Sequence, residues 1–346
     1  MQSFENKTEK SANTQMMKAI RLHAFGGPEV LRYEDVPLPA LEPGEVLIRV
    51  HAIGINPPDW YLRDGFKTVP NFKPSITLPV IPGSDVSGVI EAIAPDVKGF
   101  AVGDAVFGMI RFPSFGKSAA YAEYVAAPAS DLAHKPTGID HIHAAGAPMA
   151  GLTAWQYLIR LGHNEPNPFQ PEPHSPVPLN GKTVLINGAA GGVGHLAVQL
   201  AKWQGAEVIA VASSKHEGFL HELGADQFID YTTRAPEEVV KEVDLVLDTL
   251  GGPTTGRFLR ILKRGGALFP VFLGFSDHDQ AAERGVTVSA AQVRSNGLQL
   301  AELGNLLDSG TVRVAIDSTF PLADAQKAHE RAALGHIQGK IVLTAV

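Results

Sequence analysis

A run of small residues between two apolar segments is the feature of this sequence most specific for chemistry. Residues 183–186 form a short apolar segment of buried-strand type, and residues 189–194 follow it with the pattern Ala-x-Gly-Gly-x-Gly. Apolar residues then recur at helical spacing until a second apolar strand at 207–212. Small residues let the backbone approach a pyrophosphate, and the helix N-terminus offers free N–H groups. We predict a βαβ unit that binds a dinucleotide, although a tight turn of another α/β fold is the alternative. The predicted contacts are Ala190, Gly191, Gly192 and Val193.

The end of the second strand indicates which dinucleotide is bound. An acidic residue there binds the ribose 2′-hydroxyl of NADH, whereas a nearby cation without a carboxylate accommodates the 2′-phosphate of NADPH. Here the strand is followed by Ser213, Ser214 and Lys215. Two hydroxyls and an ammonium suit a phosphate, so we predict NADPH, with Lys215 as the main charge. Lys215 could instead be an exposed lysine opening a helix. Tyr231 ends the next predicted strand and could line the same pocket or lie on the surface.

Composition limits the classes of function that fit. The chain has 346 residues, 45% of them hydrophobic and 19% charged, which is typical of two globular domains. The net charge is -7 and no basic block occurs, so a nucleic-acid surface is not predicted. There are no cysteines, which excludes disulfides, thiolate chemistry and cysteine-ligated metals.

No membrane segment or secretory signal is predicted. The first fifteen residues are polar, and the uncharged stretches 141–159 and 183–201 are interrupted by polar residues or glycine. We expect residues 1–16 to be a disordered extension and the protein to be cytoplasmic, which the lack of cysteines fits without proving.

The order of the predicted elements indicates an α/β protein with two kinds of domain. Short strands separated by proline and glycine turns occupy about a hundred residues after Met17, which predicts a β-rich, barrel-like domain. From residue 183 strands alternate with helices, which predicts a parallel sheet covered on both faces. Residues 162–181 hold six prolines and are predicted to be an exposed surface insertion.

The sequence resembles a known family along nearly its whole length after Met16. The resemblance rests on the segments MKAIRLHAFGGPEVL (17–31), GINPPDWYLRDG (54–65), IPGSDVSGVIEAI (81–93), VGDAVFG (102–108), YAEYV (121–125), AGAPMAGLTAWQ (145–156), VLDTLGG (246–252) and GHIQGKIVL (335–343), together with the glycine turn. These segments are similar to the medium-chain dehydrogenase/reductases, specifically the zinc-free quinone oxidoreductases that include zeta-crystallin.

The resemblance implies a bilobal fold with its site in the cleft between the lobes. A GroES-like catalytic domain would comprise residues 17–144 and 282–346, and a Rossmann NADP-binding domain residues 145–281. The resemblance also implies a homodimer or homotetramer, which by analogy would place residues 266–272 near an interface.

The same resemblance bears on metal binding. Zinc-dependent relatives carry Cys, His and Cys ligands where this chain has Asn56, Ser84 and Met149, and a structural zinc in relatives uses four cysteines. None of the three residues is a good zinc ligand, so no metal is predicted. Without a metal, the developing oxyanion must be stabilised by hydrogen bonds, which favours an electrophilic acceptor. The expected reaction is hydride transfer from NADPH to a quinone or an α,β-unsaturated carbonyl.

Three residues are candidates for the catalytic groups. Asn56 occupies the former metal position and its amide could orient the acceptor oxygen, or it could simply form a turn before Pro57. Tyr61 could donate a proton or could pack against the barrel. Asp59 is expected to brace the loop rather than to act as an acid. The second proline, Pro58, is expected to stiffen this loop.

Further residues are assigned to the cofactor by the resemblance. Thr153 matches a position near the nicotinamide, although it could be an ordinary buried helix threonine. Lys340 could touch a cofactor phosphate or cap the fold. Main-chain groups around Leu250 and from Phe272 through Leu273 to Gly274 are expected to line the nicotinamide site.

Two other functions stay open. An enoyl-thioester reductase of the same superfamily would need an acyl tunnel and a well-placed tyrosine, and Tyr61 leaves this possible. A non-enzymatic NADPH-binding protein, structural or RNA-binding, is compatible with an intact cofactor turn, although the acidic charge balance argues against RNA.

Overall fold

Two lobes with different kinds of sheet make up the protein, as shown by a computed structural model that describes residues 15–69, 72–165 and 174–345. The strands of these residues, in chain order, are β1 (Met16–Leu22), β2 (Leu31–Pro37), β3 (Glu45–Gly54), β4 (Asp85–Ile93), β5 (Ala105–Met109), β6 (Tyr124–Pro128), β7 (Leu132–His134), β8 (Thr183–Asn187), β9 (Glu207–Ala212), β10 (Gln227–Asp230), β11 (Val243–Asp248), β12 (Leu262–Pro270), β13 (Thr287–Val288), β14 (Ile316–Pro321) and β15 (Lys340–Thr344).

The helices connect these strands and cover the parallel sheet. The α-helices are α1 (Pro57–Asp64), α2 (His141–Gly146), α3 (Pro148–Leu158), α4 (Gly192–Trp203), α5 (Glu217–Glu222), α6 (Pro236–Val239), α7 (His278–Arg284), α8 (Gly297–Asp308) and α9 (Ala325–Ala333). Short 3₁₀ helices lie at Pro28–Val30, Ala129–Asp131, Ser214–His216, Thr255–Arg260 and Leu322–Asp324.

The first lobe is built from both ends of the chain. Its seven-stranded sheet has the order β14-β15-β3-β4-β5-β7, with β6 paired to β3, and β1 and β2 form a separate antiparallel pair. The closing strand β15 pairs with β3, so that Val342 lies opposite Gly54. This pairing carries the last residues of the chain back to the segment that leads into α1, and it confirms the predicted β-rich, GroES-like lobe.

The second lobe is a six-stranded parallel sheet in the order β10-β9-β8-β11-β12-β13. The chain reverses direction across the sheet between β8 and β11, because successive strands are added first on one side of β8 and then on the other. In such sheets a ligand crevice lies beyond the carboxyl ends of the strands at this reversal. Asn187 and Asp248 are the two residues at that point. The Rossmann-type sheet predicted from the sequence is therefore confirmed, with its crevice facing the first lobe.

The segment after Asn56 differs from the predicted loop. Pro57 and Pro58 begin α1, because proline lacks the N–H that would have no partner in a first helical turn and already has a helical φ angle. The carboxylate of Asp59 accepts the backbone N–H of Asn56 at 2.8 Å, which fixes the helix start. The prolines thus start a helix rather than stiffen a loop.

Other boundaries also differ from the sequence predictions. Thr287–Val288 adds the sixth strand to the parallel sheet, six residues beyond the limit of 281 predicted for that domain. Met16 belongs to β1 and not to the predicted extension, of which residues 1–14 lie outside the described residues. The predicted surface insertion has its residues 166–173 outside the described part. Its end is anchored, since His174 and Leu179 are buried, and His174 packs against Tyr157 and Phe269.

Among the helices of the described ranges, none combines the length and the apolar character needed to cross a membrane.

Candidate active site

A cavity of about 1080 Å³ lies between the two lobes. The parallel sheet contributes its glycine turn and the segments after β9, β11 and β12. The first lobe contributes the start of α1 and the start of β15. Almost all of the residues that the sequence assigned to the site line this one cavity: Asn56, Tyr61, Thr153, Ala190, Gly191, Gly192, Val193, Ser213, Tyr231, Leu250, Phe272, Leu273 and Lys340. Asp59, Ser214 and Lys215 are not among its lining residues.

The glycine turn has the geometry that a bound pyrophosphate needs. Gly188 follows β8 with a φ of +72°, a conformation that side chains disfavour, and α4 begins at Gly192. A Cβ on Gly194 would overlap the carbonyl oxygen of Gly188, so the helix can pack this closely on the strand only with glycine there. A Cβ on Gly191 would come no closer than 3.4 Å to any other group, so its small size leaves space for a ligand rather than for protein packing.

The turn is also tied to the first lobe. The carbonyl of Ala190 accepts the N–H of Gly339 at 2.8 Å, immediately before β15. His195, in α4, is buried, and its Nε2 accepts the N–H of Ala315 at 3.2 Å. Its Nδ1 therefore carries the proton and donates to the carbonyl of Gly191 at 2.9 Å. Burial lowers the pKa of His195 to about 4, so the ring is neutral. Its two hydrogen bonds connect the glycine turn with the backbone at Ala315.

A buried group of polar side chains, which we term the charged cluster, consists of Asn56, Asp85 and Lys340. The amide of Asn56 donates to Asp85 Oδ2 at 2.9 Å and to the carbonyl of Gly54 at 3.2 Å. Lys340 Nζ donates to Asn56 Oδ1 and, at 2.7 Å, to the carbonyl of Ile55. Both N–H bonds of the Asn56 amide are thus in use, so the amide has no N–H left to donate to the oxygen of an acceptor.

Asp85 is the anion that balances Lys340. Both of its oxygens accept the N–H of Met149 at 3.0 Å, in the first turn of α3, where the helix dipole favours a negative charge. Burial raises the pKa of Asp85 to about 6, against the opposing effects of Lys340 and of the Asn56 hydrogen bond. The group is therefore mainly a carboxylate at neutral pH. Burial lowers the pKa of Lys340, although Asp85 and Asp59 act in the opposite direction.

A second buried chain of hydrogen bonds braces α1 from behind. Arg63 donates to Nδ1 of His329 at 3.1 Å, so the proton of this ring is on Nε2, which donates to the hydroxyl of Tyr121 at 3.1 Å. Tyr121 donates in turn to Asp59 Oδ2 at 3.2 Å. Burial raises the pKa of Asp59 to about 7. Asp59 is buried behind the cavity, which places it with the brace and not among the groups that face a substrate.

An aromatic wall, Phe66, Phe72, Phe112 and Phe115, closes the cavity on the side of the first lobe. Phe66 and Phe115 are in edge-to-face contact with ring centroids 4.8 Å apart, and Phe112 meets Phe115 at 5.5 Å. Tyr61 lines the same space, with its ring 5.6 Å from that of Phe272 on the other lobe. Burial raises the pKa of Tyr61 to about 12, so its hydroxyl stays protonated.

The opposite end of the cavity, which we call the nucleotide rim, is formed by Ser213, Lys215 and Tyr231. Ser213 and Tyr231 line the cavity, and Lys215 Nζ donates to the carbonyl of the lining residue His336 at 3.3 Å. Ser214 opens the 3₁₀ turn and interacts with the carboxylate of Asp230. Asp230 ends β10 opposite Ala212, so a carboxylate that the sequence analysis did not consider lies next to the rim.

Thr153 and Leu250 occupy contrasting places in the cavity wall. Thr153 is buried in α3, and its hydroxyl donates to the carbonyl of Met149 at 2.7 Å. Leu250 follows β11 and its side chain is exposed. Below it, the Asp248 carboxylate accepts from Asn187 at 2.8 Å and from Thr255 at 2.6 Å, which secures the two strand ends at the crevice.

The donor set at the centre of the site does not fit zinc. Asn56 and Met149 both contact Asp85, so the positions that hold metal ligands in zinc-dependent relatives surround a hydrogen-bonded carboxylate. Ser84 Oγ lies 3.5 Å from Ser118 Oγ. Within residues 15–69, 72–165 and 174–345, no group of three or more His, Asp or Glu could hold a metal ion.

A nucleotide-binding sheet and a β-rich lobe that share one cavity define a two-lobed, NAD(P)H-dependent oxidoreductase, and comparisons with known proteins agree. The family profile for the alcohol dehydrogenase GroES-like domain matches residues 42–137, and that for a zinc-binding dehydrogenase domain matches residues 223–343. The chain is 33% identical to the mitochondrial NAD(P)H oxidoreductase RTN4IP1 of Mus musculus, covering 99% of this chain and 93% of that protein. It is 30% identical to the quinone oxidoreductase of Homo sapiens, covering 95% and 98%.

Solved structures show the same relationship. The quinone oxidoreductase of Coxiella burnetii superposes with a TM-score of 0.83 at 33% identity, covering 96% of this chain and all 100% of that one. A mycobacterial protein solved in complex with NADPH gives a TM-score of 0.78 at 30% identity, covering 95% and 99%. The chain therefore belongs to the medium-chain dehydrogenase/reductases, among their quinone oxidoreductases.

Sequence reasoning missed several residues of the site. Asp85 lies in the segment IPGSDVSGVI, which was used for the resemblance without a role for its carboxylate. Tyr121 begins the segment YAEYV, which was likewise used for the resemblance without a role for its hydroxyl, and His329 carried no local signal, because its partners come from distant segments. For Lys340 the sequence left open a contact with a cofactor phosphate or a role in capping the fold, and it did not indicate the contact of the ammonium group with Asn56.

Proposed function

We propose that the protein is an NADPH-dependent reductase of quinones or α,β-unsaturated carbonyls. The observation that carries the proposal is that the glycine turn and the charged cluster line the same cavity, with the aromatic wall beside them. A dinucleotide held at the turn would extend toward a buried ammonium–carboxylate group. An acceptor whose charge develops on oxygen would be stabilised there without a metal.

The residues present fit the cofactor along the whole cavity. Gly191, Gly192 and Val193 would hold the pyrophosphate against the start of α4, and Ser213, Lys215 and Tyr231 would surround the adenosine ribose. When bound, NADPH supplies a hydride from its nicotinamide ring. The hydroxyl of Ser213 and the ammonium of Lys215 at the nucleotide rim support a preference for NADPH over NADH. Asp230 next to Ser214 acts against that preference.

The aromatic wall supports a planar, apolar acceptor. The four phenylalanine side chains line the cavity, and an aromatic acceptor in contact with such rings gains about 0.5–1.5 kcal/mol per ring pair beyond area burial. Thr153 and Phe272 would lie on the opposite side of such an acceptor, toward the nicotinamide. The wall also helps to exclude water from the reacting atoms, which strengthens the electrostatic effect of the charged cluster.

The test is oxidation of NADPH and NADH with a benzoquinone, a naphthoquinone, an enone and an enoyl-CoA. We expect turnover with NADPH and a quinone or enone. Phe115→Ala should raise KM for the naphthoquinone more than for the benzoquinone, because the larger ring system loses more contact. Turnover with enoyl-CoA alone would favour an enoyl-thioester reductase. Tight NADPH binding without turnover on any acceptor would contradict the proposal.

A further inference from the structure

Lys340 is a buried cation, and the described residues accept hydrogen bonds from only part of its ammonium group. Its side chain is 4% exposed, yet it lines the cavity beside Asn56. An ammonium has three N–H bonds. Within residues 15–69, 72–165 and 174–345, Nζ has acceptors for two of them, the carbonyl of Ile55 and Oδ1 of Asn56. The third N–H has no acceptor among these residues, and Lys340 lines the cavity, so a ligand in the cavity can accept it.

The neighbouring amide of Asn56 has no N–H left to donate into the cavity. Asn56 presents only its oxygen to Lys340, and its two N–H bonds go to Asp85 and Gly54. The amide therefore connects the ammonium with the carboxylate, in the order Lys340, Asn56, Asp85. This arrangement holds Lys340 in one position and keeps a negative charge near it without neutralising it by direct contact.

We propose that Lys340 is the catalytic residue that contacts the acceptor oxygen and protonates it, with Asn56 and Asp85 as its positioning residues; the proposal rests on the function proposed above. Hydride from a reduced nicotinamide cofactor forms a C–H bond at a carbon conjugated with the oxygen, and the displaced π pair moves onto that oxygen. Lys340 then breaks one N–H bond and forms the O–H bond. The neutral amine regains its proton from water that enters the cavity.

The surroundings of Lys340 suit a proton donor. Burial lowers its pKa, which makes the ammonium a stronger acid than a surface lysine. The titratable groups that face it are Asp85 on β4, Asp59 on α1 and His195 on α4, and the last is neutral. The ammonium must be protonated to act, so the rate should fall as the pH rises through its lowered pKa.

The test uses 4-nitrophenol, whose ionised form has its own absorption band, as a stand-in for the oxyanion. Bound to the NADP⁺-loaded protein, it should ionise at a lower pH than in water. Lys340→Met and Lys340→Gln should abolish this shift. Lys263→Met should preserve it, because Lys263 pairs with Asp244 outside the cavity. Lys340→Met should also lower kcat by about 10²–10³-fold, the usual loss for one oxyanion donor, with the Kd for NADPH nearly unchanged.

Several outcomes overturn the proposal. The proposal is contradicted if the wild-type protein does not change the pH at which nitrophenol ionises, or if nitrophenol does not bind beside NADP⁺. Both measurements use the wild type, so neither depends on whether a variant folds. A shift lost in Tyr61→Phe but kept in Lys340→Met assigns the donor to Tyr61. An NADPH affinity that falls as much as kcat makes Lys340 a cofactor ligand. By contrast, if the protein lowers the pH at which nitrophenol ionises but turns over no acceptor, the proposed function is contradicted while the contact of Lys340 with the oxyanion still holds.

Discussion

The two ends of the cavity are built on opposite physical principles. At the charged cluster, Asn56, Asp85 and Lys340 are almost completely buried and their hydrogen bonds hold one another in place. At the nucleotide rim, Tyr231 is 46% exposed, and the one hydrogen bond of Lys215 Nζ to a described residue is the 3.3 Å contact with the carbonyl of His336. A buried charge without its partner costs several kcal/mol, whereas an exposed one costs little. Substitutions at the first end should therefore affect folding and turnover together, and those at the second only cofactor affinity.

The largest effect should follow from Asp85→Ala. The change leaves the N–H groups of Asn56 and Met149 without their acceptor and removes the anion that balances Lys340. We expect the free energy of unfolding to fall by about 3–5 kcal/mol, as for other broken buried charge pairs. Urea denaturation measures it. Asp35→Ala, which removes an exposed ion pair with Lys18, should leave the free energy of unfolding nearly unchanged. If both variants lost the same free energy of unfolding, the expected difference between buried and exposed charges would be contradicted.

Gly194→Ala should come next, because the added methyl overlaps the carbonyl oxygen of Gly188. Overpacking of this kind costs about 1–3 kcal/mol, and the shift of α4 away from β8 should also weaken NADPH binding. Gly218→Ala is the matched control, since its methyl meets open space in α5. That variant should be neutral or slightly stabilising. Calorimetry with and without NADPH checks both expectations, and an unchanged NADPH affinity in Gly194→Ala would argue against the turn as the pyrophosphate site.

A pH-dependent effect is expected from His329, in the chain of hydrogen bonds behind α1. Burial lowers its pKa from 6.5 to about 3, so between these values the unfolded chain binds a proton that the folded chain does not. Stability from this residue is therefore present above pH 6.5 and is lost as the pH falls toward 3. His329→Gln should cost about 1–3 kcal/mol at neutral pH by breaking the bonds to Arg63 and Tyr121.

The difference in stability between wild type and His329→Gln should shrink as the solution is acidified. Denaturation at a series of pH values measures this difference. Asp59, with its pKa raised to about 7, contributes a slope of the opposite sign in the wild type. A difference that stays constant or grows on acidification would show that His329 is not held neutral in the folded protein.

What could be predicted from the sequence follows the same division between the two ends. The glycine turn lies within one local unit, so its strand, turn and helix were predicted from spacing alone, and the second strand of the unit was predicted at 207–212 with the observed bounds. Ser213 and Tyr231 both line the cavity, as the sequence suggested for Ser213 and left open for Tyr231, because the ends of adjacent parallel strands must lie side by side.

The charged cluster could not be predicted in this way. Lys340 and Asn56 are 284 positions apart, and Tyr121 and His329 are 208 apart. Their contacts depend on the pairing of β15 with β3, which no local pattern specifies. The sequence could indicate that Asn56 lies at the site. It could not indicate that its amide is already occupied, since that depends on a carboxylate and an ammonium from two other strands.

The smallest effect should come from charge changes at the nucleotide rim. Lys215→Glu should raise KM for NADPH by about tenfold, equivalent to about 1.4 kcal/mol, and leave KM for NADH and kcat nearly unchanged. Asp230→Asn removes the neighbouring negative charge and should change the NADPH affinity in the opposite direction. Both effects should weaken as salt is added, because exposed charges are screened. Steady-state kinetics with the two cofactors at two ionic strengths measures them. An equal rise of KM for NADH would mean that Lys215 supports the turn rather than selecting the phosphate, and a fall in kcat would show that the two ends of the cavity are coupled.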